Sequence, residues 1–121
     1  MDKPLSRSSA NAPQRYLDRA DVLRATVDQL QKDLALDPHE LALPGDPRDA
    51  FEDLRSQVLP ILERLFARSA HDLKVALYRL DIPEPQLHRA MAAGGLHALA
   101  GEVVLRALQK VLTRMRFAGR F

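Results

Sequence analysis

The sequence predicts an all-α protein: a compact bundle of four to five helices, with a central C-terminal helix and a peripheral N-terminal helix. Three observations carry that expectation. Of the 121 residues only 5% are aromatic and only 5 are glycine, a balance that favours helix formers over strand formers. Leu, Val, Ile and Ala recur every three or four positions through most of the chain, the period of a helix with one face turned to a core. Ser, Asp or Asn stands before those stretches, with proline or an acid just behind, as at helix starts. A chain of this length suits one core, so residues 11–121 are expected to form one domain. Residues 1–10, MDKPLSRSSA, offer too little apolar surface to offset the entropy of ordering and are expected to be a disordered tail.

The first helix is expected over about 11–34. Asn11 is its cap, Gln14 the reciprocal partner and Pro13 the pre-set first turn. Tyr16, Ala20, Leu23, Val27, Leu30 and Leu34 alternate spacings of four and three, a heptad-type seam within a sector of roughly 80°. So narrow a stripe predicts one neighbour. The seam can pack on its own bundle or meet a copy of itself, and three heptads, marginal for an independent coiled coil, favour the former.

Asp37, Pro38 and Glu40 repeat the capping pattern and predict a short helix over about 38–43, stopped by Leu43-Pro44-Gly45. Asp46, Pro47 and Asp49 repeat it again and open a longer helix reaching about Ala67. Its apolar positions, Phe51, Leu54, Val58, Leu59, Ile61, Leu62, Leu65 and Phe66, cover roughly 160° of the wheel. Pro60 inside it predicts a kink near 56–60, or two helices meeting there.

Ser69 with Asp72 caps a third helix carrying Leu73, Ala76, Leu77 and Leu80. Ile82 and Glu84 each precede a proline and are expected to be extended. Leu87, Ala90 and Met91 suggest a short helix ended by Gly94-Gly95. The last helix, about 96–116, is apolar over more than half its circumference, from Leu96 and Leu99 to Val111 and Met115. Only a helix wrapped by at least two others can bury that much surface.

Chemistry is sparse. The chain has no cysteine, which removes disulfides, thiolate metal sites and cysteine nucleophiles together. No two of His39, His71, His88 and His97 lie three or four residues apart on a helix face, so no metal site is expected. Asp18, Asp21, Asp28, Asp33, Asp49, Glu52, Asp53 and Glu63 fall on polar faces among arginines. None is expected to be buried in the way that perturbs an acid for catalysis. There is no nucleophile elbow, glycine-rich phosphate loop or dinucleotide fingerprint. Neither an enzyme nor a cofactor is expected.

The net charge is +2, too small to imply an acidic partner, but it is unevenly spread. Residues 37–46 carry three acids and no Lys or Arg, whereas residues 87–121 carry six Lys or Arg against Glu102 alone. The leading expectation is a non-enzymatic interaction module that binds another protein, or itself, through a helix face. Tyr16, Leu23, Val27, Leu30 and Leu34 are its interface candidates. The second is a weak nucleic-acid binder using Arg106, Lys110, Arg114, Arg116 and Arg120, with Phe117 and Phe121 available for stacking. The same cations also suit a helix C-terminus on dipole grounds alone. No small-molecule substrate or membrane partner is expected. Without a leader-like pattern, and with charges interrupting the apolar runs, a cytoplasmic location is expected.

Overall fold

A computed structural model describes residues 11–119 of the chain, and its architecture is an all-α bundle. The expected tail over 1–10, the Asn11 side-chain cap, Arg120 and Phe121 lie outside the described residues. Among the described residues five α-helices follow one another: α1 (Asn11–Leu17), α2 (Ala20–Asp33), α3 (Ala50–Arg68), α4 (Ala70–Arg79) and α5 (Glu84–Phe117). A 3-10 turn, Pro47–Asp49, leads into α3.

The interior forms around the second half of α5. Leu99, Ala100, Val103, Val104, Ala107, Leu108 and Val111 are fully enclosed there, with α2 and α3 as the main packing partners. The central C-terminal helix is therefore borne out. Each large side chain so enclosed contributes roughly 1.5–3 kcal/mol of burial. Among the described residues α5 is also the one helix long and apolar enough to cross a membrane, despite its charges. About a third of that apolar stretch is buried, and its buried side chains belong to the bundle's core.

The backbone of α5 leaves helical geometry at Gly94 (φ −167°, ψ 16°) and Gly95 (φ 67°, ψ −146°). The expected stop is thus a sharp break between 84–93 and 96–117. Gly95 is held in a region closed to side chains with a Cβ. Upstream, Glu84 and Pro85 sit in the first turn of α5 with Pro83 as its cap residue. This corrects the expected extension of Glu84, since proline fits the first helical turn, where its missing N–H has no partner to lose.

The N-terminal helix is two helices. The chain breaks at Asp18-Arg19, where the Arg19 amide donates to the Tyr16 carbonyl and Asp21 accepts from both Val22 N and the Arg19 guanidinium. The break turns Leu17 and Val22 inward, and Ala20, expected in the seam, is exposed. Gln14 is not free for the expected capping box. Its amide donates to the Pro47 carbonyl and to Asp18, and its Oε1 accepts from Phe51 N at 3.0 Å. It thereby ties α1 to the start of α3. In α2, Val22, Thr26 and Gln29 join Leu23, Val27 and Leu30 in being buried, so the enclosed face spans roughly 160° of the wheel, not 80°.

The short helix expected over 38–43 is absent. Half of its capping chemistry forms, with Glu40 accepting from Asp37 N at 3.0 Å. The helix goes no further because Gln57 takes the backbone of Ala42 at both ends, accepting from its N at 2.8 Å and donating to its O at 3.0 Å. Asp46 caps as expected, accepting from Arg48 N, and Ser69 accepts from Asp72 N at 2.9 Å. α3 runs through Pro60 as one helix, so the two-helix alternative is excluded. Ser56 and Pro60 are exposed, leaving the unpaired carbonyl to water.

Two helices end on αL residues that are not glycine, Ala35 (φ 55°) and Asp81 (φ 60°). In both, the next amide reaches back to close the helix, Leu36 N to Gln31 O at 2.9 Å and Ile82 N to Leu77 O at 3.1 Å. This is the Schellman arrangement, with a hydrophobic residue following the αL position.

Candidate functional site

The five expected interface residues belong to the interior. Leu23, Val27, Leu30 and Leu34 are buried and Tyr16 is half-buried against the same core. They hold the bundle together and present no exposed seam in the single chain.

The expected basic end is largely tied down as well. Lys110 Nζ lies 2.8 Å from Asp33 and 3.6 Å from Asp81. The Lys110 and Asp33 side chains keep only 16% and 10% of their exposure, so Asp33 is half-buried beside its cation. Gln29 donates to both Asp33 carboxylate oxygens at 3.0 Å and accepts from Arg114 at 2.7 Å. Arg106 reaches Asp81 at 3.9 Å. A polar ladder thus stitches α5 to α2 and to the turn before α5. Of the described cations proposed for nucleic acid, only Arg116 is exposed with no hydrogen bond or ion pair. The ladder was not legible in the sequence, because its acids stand far along the chain from the cations they meet.

Elsewhere, Arg55 contacts Glu52 and the His97 ring, its stem crossing α5 where a Cβ on Gly101 would stand 3.2 Å from the arginine Cδ. That cluster is a close helix crossing. Among the described residues no group of three His, Asp or Glu gathers as a metal site would require.

An open groove lies between α3 and α4. Side chains one turn apart on each helix face across it: Ile61, Leu65 and Arg68 on α3, Asp72, Val75, Ala76 and Arg79 on α4. The Leu34–Leu36 turn closes one end, and the groove encloses about 490 Å³. Its floor is apolar. Leu36 and Leu65 are half-buried and Val75 is 38% exposed, while Tyr78, three residues on from Val75 and outside the groove lining, is 84% exposed. Residues three apart on a helix are neighbours, so the exposed Tyr78 adjoins Val75 on the surface of α4.

The rim is charged. Arg64 pairs with Glu40 at 3.1 Å and Arg68 with Asp72 at 3.1 Å. The Glu40 carboxyl is held below its ordinary range, first by the hydrogen bond from the Asp37 amide and then by Arg64. Arg79 and His71 make no ion pair or hydrogen bond among the described residues. None of Arg64, Arg68, Val75, Tyr78 and Arg79 stands out in the sequence. The available signal was that Val75 and Tyr78 fall outside the Leu73-Ala76-Leu77-Leu80 stripe of their own helix. Comparison with family models, curated proteins and solved structures finds no match to this chain.

Proposed function

We propose that this chain is a non-enzymatic interaction module that binds another protein by taking one of its helices into the α3–α4 groove. One observation carries the reading: Val75 stands partly exposed in a groove whose floor is apolar, with Tyr78 exposed three residues on, outside the groove lining. Exposed apolar patches with a polar rim are a mark of interaction surfaces, and tyrosine is a frequent anchor in them. Two helix ridges with a groove between them fit a third helix by the same ridges-into-grooves packing that builds the bundle.

The test is site-specific photo-crosslinking in the native cell, with a benzoylphenylalanine at position 78 and a control at position 116. A protein adduct of one defined mass is expected from position 78, lost on Val75→Asn, and none of that mass from position 116. Crosslinking to nucleic acid at position 116 with nothing at position 78 would contradict the proposal and move the function to the basic end.

A further inference from the structure

The charges on the rim of the groove select among the helices that its shape would admit, provided that the groove is a docking site as proposed. Both rim acids, Glu40 and Asp72, are already engaged by arginines. The Arg64 and Arg68 side chains remain 65% and 71% exposed, so they can share a further carboxylate. Arg79 has no partner among the described residues. The rim therefore has cationic capacity to spare and no spare acid. We infer that the occupant is an amphipathic helix of a partner protein whose apolar stripe is flanked by Asp or Glu.

The spacing agrees. Positions 71 to 79 of α4 span about 12 Å at 1.5 Å per residue. A docked helix would thus meet the groove over two to three turns, with its flanking acids passing Arg68 on one wall and Arg79 on the other. A basic helix would bring like charge against Arg79 beside an apolar floor, where poor solvation makes the repulsion count. Exposed charge pairs contribute little affinity on their own. The leucine stripe supplies the binding, and the acids select the partner.

The experiment uses the full chain and two fluorescein-labelled peptides of about 14 residues, long enough for the groove with a turn to spare. Both carry leucines at i, i+3, i+4 and i+7, one with glutamates on the flanks and the other with lysines. Anisotropy titration at roughly 50 mM salt should show the acidic peptide binding at least tenfold more tightly than the basic one. The ratio should fall toward about twofold at roughly 500 mM salt, where the screening length is only a few ångströms. Arg79→Glu should weaken the acidic peptide at least fivefold and strengthen the basic one. Val75→Asn should weaken both, with thermal melting confirming that each variant is folded.

Equal binding of the two peptides, with both lost on Val75→Asn, would overturn the acidic preference while leaving the groove as a docking site. No saturable binding by either peptide, or binding indifferent to Val75→Asn, would overturn both.

Discussion

The α2–α5 seam and the α3–α4 groove are made of the same materials, aliphatic side chains edged by arginine, lysine and acids, and they treat them in opposite ways. In the seam, Asp33 takes Lys110 at 2.8 Å and Gln29 takes Arg114 at 2.7 Å, over side chains that are otherwise enclosed. In the groove, the ion pairs of Arg64 and Arg68 sit in solvent, Arg79 has no partner among the described residues, and Val75 is left partly uncovered, with the exposed Tyr78 three residues on. The difference shows that a run of cations identifies a binding surface only after the acids of other helices have been brought to it. The C-terminal third holds the larger excess of positive charge, yet its Arg106, Lys110 and Arg114 are used internally, whereas Arg64, Arg68 and Arg79 of α3 and α4 stay on the outside of an apolar floor.

The contrast between seam and groove can be broken where it is strongest, in the α5 core. Leu108→Ala removes a fully enclosed side chain and should cost about 3 kcal/mol in denaturant unfolding, as for other leucine-to-alanine cavities. Val75→Asn in the groove should stay within about 0.5 kcal/mol, as surface substitutions do. Similar losses at the two sites would mean that the groove is part of the core.

A smaller effect tests the ladder. Lys110→Met keeps the apolar stem but leaves Asp33, 10% exposed, without its cation. It should lower stability by about 2 kcal/mol, and adding Asp33→Asn should restore part of the loss. If Lys110→Met is neutral, the seam's charges are no more committed than those of the groove.

Smaller still, and opposite in sign, is Ala35→Gly at the turn that closes the groove. Ala35 holds φ 55°, and replacing an αL alanine by glycine should raise stability by about 0.5–1 kcal/mol. A loss of stability would mean that the turn is not held in that conformation.

The smallest effect concerns Glu40, whose carboxyl lies below its ordinary value of 4.5. Because the folded value is lowered, its contribution is present above 4.5 and is lost as pH falls through the folded value. A carbon-detected titration should place its midpoint below 4.5. Arg64→Ala should raise that midpoint part of the way, since the Asp37 amide remains. An unchanged midpoint in Arg64→Ala would mean that Arg64 does not hold the Glu40 carboxylate on the rim.

Much of the fold was legible because its signals are local. The Asp46 and Ser69 caps, the Gly94-Gly95 break and the apolar period of 96–116 each depend on residues within a turn or two of one another. The misreadings came from partners far along the chain. Gln57 diverts Ala42 from a helix that Asp37, Pro38 and Glu40 would otherwise start. The seam expected over 11–34 fails at Asp18-Arg19 because Leu17, Val22 and Gln14 all have better partners elsewhere in the bundle. The candidate site was the least legible part. A groove belongs to two helices at once, and in α4 alone Val75 and Tyr78 are merely two apolar residues off the stripe.

Whether the open α3–α4 groove, and not the N-terminal seam or the basic C-terminus, receives a partner is tested most directly by an amide shift map. The nitrogen-labelled chain is titrated with the acidic leucine peptide. Saturable shifts confined to residues 34–40, 61–68 and 71–79 are expected. Shifts centred on 106–119, or on the buried stripe of α2, would contradict the groove as the docking site.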